Sequence, residues 1–242
     1  FRKGLAKATY GTGSSVMMNI GTEPIRPKSG LVTSIAWGAF GKAEYALEGD
    51  VNFSADTIKW LADNLELISD PVESGPLASS ISGNEGVYFI PAFAGLGAPY
   101  WDSEARAAIV GMTRGTKKAH IVRAAEESIA YQIKDIVDLI RKESGIEPEE
   151  LRVDGGATKD SFLMQFQADM LNVPIVRNKV SELSAFGSAL MAGLALGIWD
   201  SVGEVEKLRV SDAVFRSKIT ADQREHLYKG WKAAIDRIRT NN

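Results

Sequence analysis

Residues 151–167 read LRVDGGATKDSFLMQFQ, and this stretch says more about function than the rest of the chain. The apolar run at its start predicts a strand, and the spacing of Phe162, Leu163 and Phe166 predicts a helix soon afterwards. Between the two lies Asp154-Gly155-Gly156. Adjacent glycines allow the backbone to approach another group closely, and the free N–H groups of a helix start can bind an anion or a nucleotide. Asp-Gly is also a common tight-turn dipeptide, so this segment alone is compatible with either a bend or a ligand site.

A second glycine-rich turn lies near the start of the chain. Residues 8–21, ATYGTGSSVMMNIG, predict two strands joined by Gly11–Ser15. Its glycines and hydroxyls are suited to hold a phosphate, although a plain hairpin turn is the alternative. No Gly-Lys-Ser/Thr follows, which excludes a Walker A loop, and a strand rather than a helix follows, which excludes a Rossmann fingerprint. Two such loops on one α/β domain suggest the actin-like ATPase architecture.

The rest of the chain alternates strand and helix patterns. Further strands are predicted at 31–37, 44–48, 87–93, 107–112 and 173–176. Helices are predicted at 54–68, 117–143, 184–198 and after the capping box Thr220-x-x-Gln223. Three more specific expectations follow from these patterns. The helix at 54–68 should bury a stripe of Ile58, Leu61, Leu65 and Ile68, the segment 70–86 should be loop, and Gly187 and Gly193 should let a buried helix pack closely.

The long segment Pro91–Arg106 is predicted to be an ordered loop. It carries Tyr100, Trp101, Asp102 and Arg106. Two aromatic rings and an Asp–Arg pair would suit a sugar site, but aromatic side chains of loops also cover the edge of a core.

Composition limits the classes of function. The chain has 242 residues and a net charge of −3, which gives no general attraction to nucleic acid or to an anionic membrane. It has no cysteine and two histidines far apart in sequence, which excludes zinc-thiolate sites and disfavours a Ser-His-Asp hydrolase. Any essential metal would be a hard cation such as Mg²⁺.

Long blocks of the chain resemble the C-terminal domain of the FGGY carbohydrate kinases. They are ATYGTGSSVMMNIG, YALEG, the run from VYFIPAFAGLGAPYW to EESIAYQ, and LRVDGGATKDSFLMQFQADML. Within that family the resemblance is strongest to the kinases of glycerol. It implies an α/β, actin-like, ribonuclease H-like domain with a central mixed sheet flanked by helices. It also implies that ATP, with Mg²⁺ on its phosphates, phosphorylates a polyol or sugar hydroxyl in a cleft between two domains.

The resemblance assigns nucleotide contacts residue by residue. Thr12 and Gly13 match the loop that contacts the ATP phosphates. Gly155 and Gly156, followed by Ala157, match the pair that runs against the adenosine.

Four positions depart from the family pattern. Ala55 and Lys59 stand at the adenine-side helix, where Gly and Gln are frequent. Asp160 replaces an Asn close to the base and ribose, and Ser15 replaces a Phe that backs the glycerol carbons. Ser15 therefore predicts a roomier or more polar substrate pocket.

The resemblance covers residues 1–242 as one C-terminal, nucleotide-binding domain, and the chain has no initiator Met. We therefore expect a cytoplasmic polyol kinase whose N-terminal domain, with the catalytic base and the first phosphate loop, is absent here. On this view no catalytic residue and no metal ligand lies in this chain, and the chain alone has no kinase activity. Homo-oligomers are common in the family. The alternatives are a kinase of another polyol or sugar, such as erythritol or xylulose, and a non-catalytic actin-fold module that binds nucleotide.

Overall fold

A computed structural model describes residues 2–180 and 183–240. The strands in these ranges are β1 (Ala6–Tyr10), β2 (Ser14–Gly21), β3 (Val32–Ala39), β4 (Lys42–Val51), β5 (Tyr88–Ile90), β6 (Ala108–Val110), β7 (Leu151–Asp154), β8 (Ile175–Asn178) and β9 (Ser211–Phe215). The helices are α1 (Ala55–Asp63), α2 (Ser74–Ser79), α3 (Lys118–Ser144), α4 (Ser161–Leu171), α5 (Leu183–Ala195), α6 (Val202–Lys207) and α7 (Ala221–Asp236). Short 3₁₀ helices cover Pro71–Glu73 and Gly156–Lys159.

Seven of these strands form one mixed sheet in the order β3-β4-β2-β1-β7-β8-β9. β1 pairs antiparallel with β2 and parallel with β7. One glycine-rich turn follows β1 and the other follows β7, so the two turns begin at the ends of neighbouring strands. The remaining pair, β5 and β6, is antiparallel. The predicted central mixed sheet with flanking helices is therefore confirmed.

One face of the sheet is buried under helices. The alternate residues of β1, Ala6, Ala8 and Tyr10, are buried, and they share one core with the apolar stripe of α3. α3 contacts β2, β4 and β5, and α4 contacts α3 and β8. The helix α3 ends at Gly145, whose φ of 68° is the left-handed C-cap that the sequence predicted. In the described ranges, no helix is both long and apolar enough to cross a membrane.

A buried carboxylate joins α3, α7 and the long loop. Asp135 accepts hydrogen bonds from Tyr100 Oη (2.7 Å), Trp231 Nε1 (2.9 Å), Lys232 Nζ (3.1 Å) and Tyr228 Oη. Burial, together with the charge of Asp135, raises the pKa of Tyr100 and Tyr228, so both hydroxyls stay protonated and act as donors. Tyr100 thus has a structural role.

The neighbouring polar residues of this loop also make contacts within the protein. Asp102 accepts from the Glu104, Ala105 and Thr240 backbone N–H groups, and Arg106 donates to backbone carbonyls. The Trp101 indole donates to the Ser29 carbonyl while its side chain remains exposed.

Several element predictions were wrong. The segment 70–86 contains a 3₁₀ turn and α2, because Pro71 and the Asp70 side chain, which accepts from the Val72 N–H, start a helical turn despite the many loop-forming residues. The sequence pattern also missed α6 and β9. The first helix ends at Asp63, so Leu65 is 40% exposed and does not continue the buried stripe.

The helix α5 differs from its prediction in burial. Its buried residues are Leu190, Gly193 and Leu194, while most other positions are exposed or half-buried. A β-carbon at Gly193 would overlap the Trp199 ring, as close packing requires, whereas nothing lies within 4 Å of one at Gly187. α5 therefore packs on a small local cluster rather than in the main core.

Candidate functional site

A cavity of about 810 Å³ opens where the carboxyl ends of β1 and β7 meet the helices. Thr12 of the β1–β2 turn, α1, the 70s segment with α2, and the start of α4 form its walls, and Glu126 and Ile129 of α3 form its floor. Its size lies within the range of small-molecule and cofactor sites. The apolar side chains that line it are Ile58, Val72, Ile129, Phe162 and Leu163.

The Thr12 turn presents backbone groups to the cavity. Thr12 is exposed, and its carbonyl accepts from the Ser54 and Asp56 N–H groups, which fixes the turn against the start of α1. In the described ranges, neither the Thr12 nor the Gly13 N–H donates to another backbone group. Gly13 itself lies outside the cavity lining, and a β-carbon there would lie 2.6 Å from the Val51 carbonyl oxygen. Gly13 is thus required by packing against β4, while Thr12 is available to a ligand.

The two glycines of the Asp154-Gly155-Gly156 turn have different surroundings. Gly155 has a φ of 98°, and a β-carbon there would overlap the Tyr10 backbone. Gly156 lines the cavity, and a β-carbon there would meet nothing within 4 Å. Asp154 accepts from Thr9 Oγ1 (2.8 Å), which ties β7 to β1. The segment is therefore a structural bend at Gly155 and an open wall at Gly156 and Ala157.

The α1 wall contains the two positions that the sequence singled out there. Ala55 and Lys59 both line the cavity. Lys59 pairs with Asp63 one turn later (Nζ–Oδ2 2.5 Å), and this partner raises the pKa of Lys59. The ammonium is exposed, and the carboxylate of Asp63 balances its charge.

Asp160 caps the helix that faces the cavity. Its Oδ1 accepts from the Phe162 N–H (2.7 Å) and the Leu163 N–H (3.2 Å), and the acid suits the positive end of α4. Its Oδ2 lies against α2, where a β-carbon at Gly75 would overlap it. Burial raises the pKa of Asp160, while its two backbone hydrogen bonds act in the opposite direction.

Ser15 lies away from the cavity. It follows the buried Ser14 on β2, and because successive side chains of a strand point to opposite faces, the two lie on opposite faces of the sheet. Ser14 Oγ donates to Ser54 Oγ (2.7 Å), whereas Ser15 Oγ donates to Glu48 Oε1 (2.8 Å). The structure therefore brings Thr12, Ala55, Lys59, Gly156, Ala157 and Asp160 around one cavity and leaves Gly13, Gly155 and Ser15 outside its lining.

The predictions from the sequence did not include Glu126 or the α2 wall as parts of the site. Glu126 is 2% exposed and lies on the cavity floor. A signal was available, because Val122, Glu126, Ile129 and Ile133 recur at helical spacing on the apolar face of α3. An acid on such a face is predicted to be buried. The α2 wall had no comparable signal, because its six residues, SGPLAS, have the composition of a loop.

Comparison with known proteins matches the whole chain to kinases. The sequence model described as the FGGY family of carbohydrate kinases, C-terminal domain, matches residues 6–196. The glycerol kinase of Oceanobacillus iheyensis is 49% identical over 240 residues, which is 99% of this chain and 48% of that protein. Glycerol kinase 2 of Thermotoga maritima is 50% identical over 237 residues, 98% of this chain and 48% of that protein. The chain thus spans about half the length of the curated relatives it matches.

Solved structures give the same match. The crystal structure of Plasmodium falciparum glycerol kinase with ADP superposes with a TM-score of 0.94 at 41% identity, covering 100% of this chain and 48% of that one. A xylulose kinase from Lactobacillus acidophilus shares the fold, with a TM-score of 0.82 at 24% identity over 97% of this chain and 47% of that one.

Proposed function

The chain belongs to the FGGY family of carbohydrate kinases, and we propose that it is the nucleotide-binding half of an ATP-dependent glycerol kinase. The full enzyme would transfer the γ-phosphate of ATP to a hydroxyl of glycerol. The observation that carries this proposal is the cavity between the Thr12 turn and Gly156, which is large enough for a nucleotide. The backbone N–H groups of the turn lie at one side of this cavity, and apolar side chains line its other walls. Relatives named glycerol kinase at 49–50% identity, and a neighbour solved with ADP, support it.

The walls of the cavity suggest how a nucleotide lies in it. The phosphates would lie at the Thr12 turn, where among the described residues the Thr12 and Gly13 N–H groups donate to no other backbone group. The Thr12 hydroxyl would be a further donor. The base and ribose would lie between α1 and the Gly156 side, against Ile58 and Phe162. Gly156 would give the nucleotide room, since a side chain there would project into the cavity.

Mg²⁺ enters this proposal through the phosphates of the nucleotide. Among the described residues no group of three or more His, Cys, Asp or Glu side chains is placed to hold a metal ion. Mg²⁺ often keeps several of its waters and binds through substrate phosphates. When bound, Mg²⁺ would neutralise charge on the transferring phosphoryl group. We assign it no ligand in this chain.

The catalytic base and the main substrate contacts would come from the N-terminal half of the enzyme. Phosphoryl transfer depends on positioning and electrostatics, which two halves of a cleft supply together. We therefore expect the 242-residue chain alone to turn over no substrate. Glycerol-dependent ADP production by a contaminant-free sample of this chain, above a control without protein, would overturn that expectation.

A kinase of another polyol or sugar is the second candidate. The observation in its favour is the polar pair Ser15 and Glu48, since the family resemblance places an aromatic wall where Ser15 stands. Assays of the full-length protein with ATP and glycerol, erythritol or xylulose would decide between them. We expect the highest kcat/KM for glycerol, and a higher value for another alcohol would replace the assignment. No turnover with any alcohol, combined with tight ATP binding, would instead favour a non-catalytic nucleotide-binding module.

The same proposal has consequences for location and assembly. A kinase of this kind would work in the cytoplasm, where ATP is available, and its cleft would close between this domain and its own N-terminal domain. Homo-oligomerisation of the full-length protein is part of the proposal, and its molar mass by sedimentation would test it.

A further inference from the structure

Two consecutive glutamates of α3 are buried, and only one of them is neutralised. Glu127 is 1% exposed, and it accepts from Arg123 Nε (2.7 Å) and Asn84 Nδ2 (2.7 Å). Glu126 is 2% exposed, and its Oε2 is buried with no hydrogen-bond partner. In the described ranges no Lys, Arg or His forms an ion pair with Glu126. A buried carboxyl oxygen without a hydrogen-bond partner costs free energy, so its location needs an explanation.

The explanation lies in what faces Glu126 across the cavity floor. The side chains of Asp160 and Ser74 approach it from the start of α4 and from α2. Two carboxyls in contact cannot both ionise without a large repulsion, so such a pair retains one proton. An O–H group on one acid then satisfies an oxygen of the other. The buried Oε2 without a partner is therefore consistent with a shared proton.

The proton belongs mainly to Glu126. Burial, followed by the charge of Asp160, raises the pKa of Glu126 to about 8, while Ser74 opposes this rise. Asp160 has two backbone N–H donors that favour its ionised form, and Glu126 has none. The burial of Glu126 and the backbone donors of Asp160 thus favour a neutral Glu126 beside a charged Asp160.

The other charged groups around the cavity do not neutralise Glu126. Asp56 and Lys59 line it from α1, and Lys159 lines it beside Asp160. Lys59 is already paired with Asp63. On α3 itself, Arg123 is bound to Glu127 and to the Ala78 and Ile81 carbonyls.

We propose that Glu126 is a positioning residue of the nucleotide site, which shares one proton with Asp160 and thereby keeps the cavity floor at one negative charge. This inference rests on the proposed function. A second charge on the floor would repel the phosphates of a nucleotide and disturb the acid that caps α4. Nucleotide binding should therefore favour the protonated pair and take up a proton where Glu126 is ionised in the free protein.

The test is calorimetric titration of the full-length protein with ADP from pH 6.5 to 9.5, in buffers of different ionisation enthalpy. For the wild type we expect an affinity loss of roughly three- to ten-fold between pH 7.5 and 9.5, with proton uptake near pH 8.5, where the ADP phosphates are already ionised. Glu126→Gln keeps the shape and donates an amide hydrogen to Asp160 but cannot ionise. Its ADP affinity should change by less than about two-fold between pH 6.5 and 9.5, and its binding should show no proton uptake.

Glu127→Gln is the matched control, because it makes the same change one residue along α3. It should lower thermal stability by weakening the Arg123 pair and retain the wild-type pH profile and proton uptake. If the wild type and Glu126→Gln have the same profile with no uptake, the shared proton is overturned while the nucleotide site stands. If the wild type binds no nucleotide at any pH, the proposed function fails together with this inference.

Discussion

The backbone of Gly155 lies against that of Tyr10 so closely that a β-carbon on residue 155 would overlap the Tyr10 carbonyl oxygen. This contact lies between β7 and β1, the two parallel strands whose ends position the cavity. The φ of 98° at Gly155 is also a value that other residues rarely adopt. The first glycine of the motif is therefore fixed by the fold, whereas the second lines the open cavity.

Gly155→Ala should destabilise the protein, whereas Gly156→Ala should not. The alanine at 155 combines an unfavourable φ with overlap of the Tyr10 backbone, which together should lower the free energy of unfolding by about 2–4 kcal/mol. At 156 a β-carbon meets open space, so a change within about 1 kcal/mol is expected. Urea denaturation of the two variants measures both values. Equal losses would show that the contact with Tyr10 has been misjudged.

The parts of the fold that the sequence predicted well are those with strong local signals. The 27 residues of α3 repeat their apolar stripe over many turns and end at Gly145, so a prediction of 117–143 was close. The strands on either side of Gly11–Ser15, β1 and β2, were also predicted, and buried and half-buried residues alternate along β1 and at the start of β2. By contrast, α6 and β9 are short and largely exposed, with patterns too weak for a local rule.

The candidate site was predicted less completely because its walls depend on tertiary contacts. Thr12, Gly156 and Asp160 were identified through family resemblance, and the structure places them around one cavity. The exclusion of Gly155 depends on its distance to Tyr10, which is 145 residues away in sequence. The partner of Glu126 likewise lies on another helix, so the acid pair has no sequence signature of its own.

Gly156→Leu in the full-length enzyme should impair ATP binding selectively. The leucine side chain would project into the cavity that we assign to the nucleotide. We expect the KM for ATP to rise by more than about ten-fold, the scale of roughly 1.4 kcal/mol in binding, while the KM for glycerol changes much less. Steady-state kinetics with each substrate varied in turn measure both. Gly203→Leu, at an exposed position of α6, is the control and should change neither constant. Equal increases for both substrates would count against the assignment.

Asp135→Asn should destabilise the protein far more than Asp138→Asn. The Asp135 side chain is 2% exposed and accepts from four donors, and an asparagine there would direct its amide group at one of them. A loss of about 2–4 kcal/mol is expected. Asp138 lies on the same helix with 35% of its side chain exposed, and its pairs with Lys134 and Arg141 should be worth less than about 1 kcal/mol. Chemical denaturation of both variants decides, and similar losses would contradict the role of Asp135 as the link between α3 and α7.

The stability of the chain should depend on pH through Glu126. Its pKa is raised from the ordinary 4.5 to about 8 in the folded protein, chiefly by burial. Between these values the folded state holds a proton that the unfolded state has released. The stabilisation from that proton is therefore fully present below about pH 4.5 and is lost as the pH rises through about 8, by at most about 1.4 kcal/mol per pH unit, the slope for one proton. A glutamine does not titrate, so in Glu126→Gln the folded and unfolded states no longer differ in bound protons at this position. The free energy of unfolding of this variant should therefore fall less steeply over this pH window. Urea denaturation of both proteins at intervals from pH 5 to pH 8 gives the two slopes.

Glu225→Gln, at an exposed position of α7, makes the same chemical change away from the cavity and should follow the wild type. Parallel curves for the wild type and Glu126→Gln would show that Glu126 does not hold a proton in the folded protein.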